Sequence, residues 1–257
     1  MKFDELDQKM RIFETASDQM VPPGIHMIAR LDGRGFTRLT KDVHHFDAPF
    51  DVRFRDLMIV TTSHLMQCGF RIIYGYTQSD EISLLFDRDE DAFGRKLLKY
   101  ISILAGEASA KFSLQLGSPA SFDCRISQLP ATEYVCDYFR WRAEDARRNS
   151  LNGHCYWMLR IRGYSVENAV ALLHRMPVSK KHELLFSEGI DYNSLPAWQK
   201  HGVGLFRESC QKEGRNPLTN RPVTTTRRII KVELELPEKD RYADFILNLI
   251  RGQGNEA

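Results

Sequence analysis

The sequence has little of several features that would each point to a particular class of protein. Its five cysteines are scattered and odd in number, and no two form a C-x-x-C pair, so neither a zinc site nor a disulfide framework is expected. No apolar run approaches the ~20 residues that a membrane span needs, and the acidic N-terminal segment does not resemble a secretory signal. We therefore expect a reduced, cytoplasmic protein with no membrane partner.

Net charge is also small, at +2, which neither requires nor excludes a nucleic-acid partner. The positive charge is nevertheless concentrated, because residues 207–231 hold seven lysines and arginines against two acids. Such a region can supply phosphate contacts, and the alternative is a solvated, flexible basic loop. The length of 257 residues and the apolar fraction of 42% suit one large domain or two small ones with a real core.

Hydrophobic periodicity predicts alternating helices and strands in the first half of the chain. The predicted elements are a helix at 4–19, a strand at 25–32, a helix at 51–67, strands at 70–77 and 81–86, a helix at 89–113 and a strand at 122–129. From the first strand onward this is the β-α-β-β-α-β order of the ferredoxin-like split motif, in which both helices cover one face of a sheet.

After Pro130 the pattern becomes mostly helical. It predicts helices at 132–149, 165–175, 178–187 and 194–201, a strand at 225–237 and a last helix at 238–251. We therefore predict an α+β protein with a ferredoxin-like domain at 1–130 and a mostly helical region at 131–257.

Three acidic residues fall at the ends of the predicted strands. Asp32 follows the first strand, and Asp80 and Glu81 occupy the tip of the hairpin formed by the next two. Because strand 1 lies beside that hairpin in a split sheet, the three carboxylates can meet at one edge. Their mutual repulsion calls for cations, and hard oxygen ligands suit Mg2+. Two such ions can clamp the attacking and leaving oxygens of a phosphoryl transfer, so these three residues are the predicted catalytic centre.

The residues around Asp32 also fit a phosphate-binding site. Gly33 and Gly35 let the backbone approach a phosphate closely, and the flanking arginines can bind phosphate oxygens through paired hydrogen bonds. Each feature alone has a simpler explanation, because Asp-Gly is a common turn and Ser-Asp-Glu an ordinary hairpin tip. The combined pattern of strand-Asp, helix and strand-Asp-Glu-strand is more specific.

Four segments resemble the tRNA(His) guanylyltransferase family and its wider group of guanylyltransferase-like 3′-to-5′ RNA polymerases. They are IARLDGRGFTRLT at 28–40, FDAPFDVRFRDLM at 46–58, YGYTQSDEISLLF at 74–86 and KKHELLFSEGIDYN at 180–193. The most specific parts are RLDGRGF with its downstream QSDE, and the late K-x-E-L-L-F-S-E block.

The resemblance implies a polymerase-like palm joined to a family-specific C-terminal region, in an enzyme that is a homotetramer built as a dimer of dimers. It implies that Asp32 and Asp80 bind two Mg2+ ions with the backbone carbonyl of Gly33, and that Glu81 is required nearby. The nucleotide-binding residues it implies are Arg30, Gly33, Arg34, Gly35, Phe36, Ser79 and Lys181. The implied substrates are ATP or GTP, which activates a tRNA 5′-monophosphate, and an incoming nucleoside triphosphate whose 3′-hydroxyl attacks that phosphate.

The chain departs from the eukaryotic enzymes at three places. Thr37 stands where they have histidine, Ala48 replaces the lysine of F-x-K-P, and residues 147–153 read RRNSLNG instead of H-I-N-N-L-Y-N. The lysine serves the activation step. Its loss favours a like-protein of bacterial or archaeal type, which repairs 5′-truncated tRNAs by templated addition and can start from triphosphorylated ends.

Arginines on the helix after residue 132 are predicted to contact tRNA phosphates or the activating nucleotide. They are Arg140, Arg142, Arg147 and Arg148. The alternative is a solvated face paired with Glu144 and Asp145.

Three other functions remain open from the sequence. The first is a true tRNA(His) guanylyltransferase that adds the extra 5′ G, and the second is a non-catalytic tRNA-binding protein. The third is a palm-type nucleotidyl cyclase, because a fold alone does not define a reaction.

Overall fold

The computed structural model describes residues 2–215 and 221–253, and both helices and strands occur in each half of the chain. The strands are β1 (His26–Gly33), β2 (Ile72–Gln78), β3 (Glu81–Phe86), β4 (Phe122–Leu129), β5 (Val203–Arg215) and β6 (Pro222–Glu233). The α-helices are α1 (Phe3–Glu14), α2 (Phe36–Arg38), α3 (Val52–Leu65), α4 (Leu97–Leu116), α5 (Thr132–Ile161), α6 (Val166–Leu173), α7 (Val178–Ser187), α8 (Ala197–His201) and α9 (Asp240–Gln253). Shorter turns are a π-helical turn (Leu39–Val43) and two 3-10 turns (Ala92–Arg95 and Tyr192–Ser194).

The strands form one sheet in the order β4-β1-β3-β2-β5-β6, and every neighbouring pair is antiparallel. The β-α-β-β-α-β order predicted for the first half is confirmed by the order of β1, α3, β2, β3, α4 and β4. The molecule is thus a mixed fold of helices and an antiparallel sheet. β1 lies directly beside β3, the second strand of the hairpin, which places the end of β1 next to the hairpin tip.

Helices cover both faces of the sheet. Met27, Ala29 and Leu31 of β1 pack in a core with α3 and α4, whereas Ile28 packs in a second core with α5 and α9. Because successive side chains of a strand point to opposite faces, Asp32 lies on the face that α5 crosses. The C-terminal half therefore supplies one wall of any site built at the end of β1.

The predicted helix at 89–113 begins later than its acidic start indicated. Phe93, Gly94 and Arg95 have positive φ angles of 53°, 60° and 58°, so the regular helix α4 begins only at Leu97. The buried guanidinium of Arg95 donates hydrogen bonds to backbone carbonyls, including those of Val21 and Glu90 at 3.1 and 2.7 Å. These bonds fix the irregular turn.

The second half differs from the prediction in two elements. Helix α5 is 30 residues long and runs twelve residues past its predicted end at 149. Strand β5 was not predicted, and it pairs with β2 on one side and β6 on the other. The alternative of a flexible loop is therefore wrong for residues 207–215 and 222–231, where β5 pairs with β6, and the strand predicted at 225–237 corresponds to β6. Residues 216–220 lie outside the described residues.

None of the helices in the described part of the chain combines the length and the apolar character needed to cross a bilayer.

Candidate active site

The register of β1 and β3 brings two of the three predicted carboxylates together. The Cα of Asp32 is paired with the Cα of Glu81, so their side chains project from neighbouring strands on the same face. Asp80 precedes Glu81, and its carbonyl accepts a hydrogen bond from the Gly33 N–H at 3.0 Å. This bond ties the loop after β1 to the hairpin tip and confirms the predicted meeting of strand end and hairpin.

The hairpin tip presents Asp80 through a tight two-residue turn. Ser79 has φ of 52°, and Gln78 pairs with Glu81 across the turn. A non-glycine residue in the left-handed region costs about 1–3 kcal/mol, and such residues cluster at functional sites. The Ser79 hydroxyl donates to Asp80 Oδ1 at 3.1 Å, which orients the carboxylate.

Asp80 is electrostatically unfavourable in its ionised form. Burial raises the pKa of its carboxyl above the ordinary value, and the charge of Asp32 raises it further. Within residues 2–215 and 221–253, no three His, Cys, Asp or Glu side chains are grouped so as to hold a metal ion unaided. The donor set of Asp32, Asp80 and the Gly33 carbonyl instead fits Mg2+, which binds through one or two carboxylates and completes its shell with water and substrate phosphates.

Glu81 is engaged by arginine rather than open to a ligand. Arg142 of α5 donates from Nε to Oε1 at 2.7 Å and from Nη2 to Oε2 at 2.8 Å, and Arg30 Nε lies 3.9 Å from Oε2. Arg142 also donates to Asp145 Oδ2 at 3.2 Å. Burial raises the pKa of Glu81 although both arginines oppose the shift. The bidentate pair indicates that Glu81 positions Arg142, a role that the sequence did not predict for either residue.

The carboxylates open into a cleft between the sheet edge and α5, which we call the carboxylate cleft. Its volume is about 920 Å³ including space open to solvent, enough for a nucleotide. The strand side supplies Asp32, Ser79, Asp80 and Glu81, and α5 supplies Arg142, Asp145, Asn149, Ser150 and Trp157.

An adjoining cavity, which we call the aromatic pocket, has a largely apolar wall. Its rings belong to Phe46, Phe50, Phe54, Trp157 and Trp198. Both cavities share Pro49, Phe50, Gln78, Ser79 and Trp157, so a single ligand can extend from one into the other.

The predicted nucleotide-binding residues are spread over different surroundings. Ser79 lines both cavities, and Arg30 is half-buried beside Glu81 with its Nε making no hydrogen bond. Arg34 and Gly35 line a separate surface groove.

Two further residues of that set line neither cavity. Phe36 is 2% exposed, and its ring packs against Phe112 and Phe122 in the core. It therefore supports the loop instead of lining either cavity. Lys181 lies on α7, where its carbonyl faces the Sγ of Cys155, and it does not line the carboxylate cleft.

The predicted RNA-binding arginines lie on α5 in loose ion pairs. Arg140 contacts Asp137 and Asp240 at 3.5 Å each, Arg147 contacts Glu238 at 3.6 Å, and Arg148 contacts Asp145 at 3.9 Å. The side chain of Arg148 is 75% exposed. Such pairs contribute little to stability, so these cations can exchange partners for phosphates. Arg142 differs from them because it turns into the active site.

Asp123 is an acidic neighbour that sequence patterns did not single out. It is the β4 partner of Asp32, so Asp123, Asp32 and Glu81 stand side by side on three adjacent strands. Like charges in such a row repel one another. Alternation along β4 could have indicated the face of Asp123, but only the pairing of β4 with β1 shows that it neighbours Asp32.

Comparisons with known proteins place the chain in one family along most of its length. The family model described as tRNAHis guanylyltransferase matches residues 7–130, and the model of the Thg1 C-terminal domain matches residues 133–244. A probable tRNA(His) guanylyltransferase of Drosophila melanogaster is 33% identical, with the alignment covering 74% of this chain and 70% of the relative. The tRNA(His) guanylyltransferase of Schizosaccharomyces pombe is 31% identical, over 74% and 77% of the two chains.

Solved structures of the same kind are similar over nearly the whole chain. A bacterial tRNA(His) guanylyltransferase-like protein in complex with ATP is 26% identical with a TM-score of 0.76, covering 95% of this chain and 98% of the other. The corresponding complex with GTP is 25% identical with a TM-score of 0.73, covering 96% and 99%. Fold, site and relatives together define a nucleotidyltransferase. Within that class, the chain belongs to the tRNA(His) guanylyltransferase family.

Proposed function

We propose that this protein adds nucleotides in the 3′-to-5′ direction to the 5′ ends of tRNAs, and that its main task is templated repair of truncated ends. The observation that carries the proposal is the pair of Asp32 and Asp80 at the mouth of a nucleotide-sized cleft. Similar bacterial proteins have been solved with GTP and with ATP, which supports a nucleoside triphosphate as the ligand of this cleft. We assign tRNA as the second substrate from the family.

The sheet β4-β1-β3-β2 with α3 and α4 supports a palm-like, ferredoxin-like catalytic domain at 1–130. The region 131–257 would be the family-specific part, although its β5 extends the same sheet and its α5 walls the site. We further propose a cytoplasmic homotetramer arranged as a dimer of dimers, as the resemblance implies.

Asp32, Asp80 and the Gly33 carbonyl would hold two Mg2+ ions, which supply charge neutralisation and ease deprotonation of the attacking 3′-hydroxyl. The other steps fall to the chain's own side chains. Ser79 orients the Asp80 carboxylate, and Glu81 holds Arg142 against the cleft. The aromatic pocket excludes water around a stacked base. The aromatic pocket would thus hold the base, while β1 and the hairpin hold the carboxylates in place.

A tRNA lacking its first 5′ nucleotide tests the function. It is offered with a 5′-monophosphate or a 5′-triphosphate, together with Mg2+ and all four nucleoside triphosphates. We expect templated extension, faster from the triphosphate end, because Ala48 stands where the resemblance places the activation lysine of the eukaryotic enzymes. The product is resolved on sequencing gels.

The same assay separates the rival functions. Addition of G opposite a discriminator base that offers no pairing would favour a true tRNA(His) guanylyltransferase. Nucleotide turnover without RNA would favour a cyclase, and tRNA binding without extension would favour a non-catalytic binding protein. Any of these results in place of templated extension contradicts the repair proposal.

The exposed arginines of α5 give a separate prediction about RNA. Replacing both Arg140 and Arg148 by alanine is expected to weaken tRNA binding and to lower the dependence of affinity on salt concentration. The reason is that a protein that makes fewer phosphate contacts releases fewer counterions when it binds. Affinity would be measured by fluorescence anisotropy at several salt concentrations. Arg11→Ala, in an exposed ion pair on α1, is the control. An unchanged affinity and an unchanged salt dependence would show that these arginines form only a solvated face.

A further inference from the structure

A π-helical turn lies between the loop after β1 and the aromatic pocket. It spans Leu39–Val43, and the His44 N–H donates to the Leu39 carbonyl at 3.0 Å, a spacing of five residues. Such turns insert one residue relative to an α-helix and occur often at functional sites. The side chain of Lys41, at the centre of the turn, lines the aromatic pocket.

Lys41 is oriented by an aromatic ring. Its ammonium nitrogen lies 4.9 Å from the centroid of the Trp157 ring, close enough for a cation–π interaction. Trp157 lines both the aromatic pocket and the carboxylate cleft. Lys41 is therefore held at the edge of the aromatic pocket, over a ring that the two cavities share.

The ammonium group of Lys41 keeps its hydrogen-bond donors available. Within the described part of the chain, Trp157 is its interaction partner, and no carboxylate or carbonyl accepts from it. Arg55, the other cation that lines the pocket, is already paired with Asp56 at 2.7 Å and lies over the Trp198 ring. An ammonium carries three donors and no acceptor, so its natural ligand is an anion.

We propose that Lys41 is a binding residue that contacts phosphate oxygens of the nucleotide held between the aromatic pocket and the carboxylate cleft. The inference rests on the proposed function, which makes a nucleoside triphosphate the ligand of these cavities. Aromatic rings form the pocket interior and suit the base, whereas Lys41 is exposed at the rim. A compact ammonium charge on a flexible stem binds phosphate well, and here it would balance part of the ligand's negative charge.

The test separates the charge of Lys41 from its packing. Lys41→Met keeps an apolar stem over Trp157 but removes the ammonium, and Lys41→Arg keeps the charge. Dissociation constants for GTP, ATP and guanosine are measured by calorimetry with Mg2+ present. We expect Lys41→Met to weaken GTP and ATP binding about tenfold, the usual effect of one hydrogen bond to a charged group. Guanosine binding should be unchanged, and Lys41→Arg should retain most of the triphosphate affinity.

Lys99→Ala, an exposed lysine on α4 outside both cavities, is the matched control and should bind as the wild type does. Equal weakening of GTP and guanosine would overturn the proposal, because Lys41 would then act only by packing on Trp157. Unchanged GTP binding in Lys41→Met, with normal binding by the wild type, would overturn it while leaving the proposed function intact. Failure of the wild-type protein to bind either triphosphate would overturn both.

Discussion

Asp80→Asn is expected to lower the rate of 5′ nucleotide addition by about 10³-fold, while leaving the fold intact. Asparagine keeps the size and one oxygen of the side chain but removes the charge that would hold Mg2+ beside Asp32. Loss of transition-state charge stabilisation in a buried site has effects of this order. Single-turnover extension of a triphosphorylated, truncated tRNA measures the rate of the chemical step.

The same substitution is expected to stabilise the protein at neutral pH in the absence of Mg2+. Burial and the charge of Asp32 raise the folded-state pKa of Asp80 above its unfolded value. The folded state therefore binds the proton more tightly, so stability is lost as pH rises through the window from the unfolded pKa, about 3.9, to the raised folded pKa. Asparagine avoids this loss, and the advantage disappears below that window.

Urea unfolding at pH 7 and at a pH below 4, with and without Mg2+, checks the sign. Mg2+ should stabilise the wild type more than Asp80→Asn, because a ligand that binds only the folded state raises its apparent stability. Asp123→Asn is the control, since Asp123 is exposed although it also neighbours Asp32. If Asp80→Asn proved less stable than the wild type at pH 7 without Mg2+, it would contradict the conclusion that the ionised Asp80 carboxylate destabilises the fold unless a cation is bound.

The sequence indicated much of this site because local patterns carry the information. The sequence places one acidic residue at the end of β1 and two at the tip of the hairpin. Once β1 is placed beside β3, these positions bring Asp32 and Glu81 together. The arginines of α5 show the limit. Helical spacing put Arg142 and Arg148 on the same element, but only the rotation of α5 across the sheet decides that Arg142 meets Glu81 and Arg148 meets solvent.

Other parts escaped prediction for related reasons. Strand β5 is polar beyond Phe206 and shows no clear alternation, and it exists because β2 and β6 pair with it. The π-helical turn at Lys41 contains one residue more than an α-helical turn, so a search for the 3.6-residue period does not detect it. The determinant of β5 is thus its pairing with strands distant in the sequence, whereas the π-helical turn is a local irregularity that has no period to detect.

Arg142→Met is expected to be the most destabilising of the active-site substitutions, by about 3 kcal/mol of unfolding free energy. Its guanidinium makes two short hydrogen bonds to Glu81, and the two side chains are only 12% and 15% exposed. Removing one partner of such a pair leaves a buried charge uncompensated. The rate of nucleotide addition should fall by about 10²-fold, the upper range for residues that orient a catalytic group. Arg148→Met, on the same helix but exposed, is the matched control for the unfolding free energy.

A double-mutant cycle decides whether Glu81 and Arg142 work as one unit. Glu81→Gln removes the charge that Arg142 compensates, so the double variant Glu81→Gln/Arg142→Met should recover much of the stability lost in Arg142→Met alone. The rate should not recover, because the guanidinium that Glu81 holds against the cleft is still absent. Additive losses of unfolding free energy would show that the pair is not coupled. Recovery of the rate together with stability would show that Arg142 serves only the fold, and Glu81 would then need another role beside Asp32.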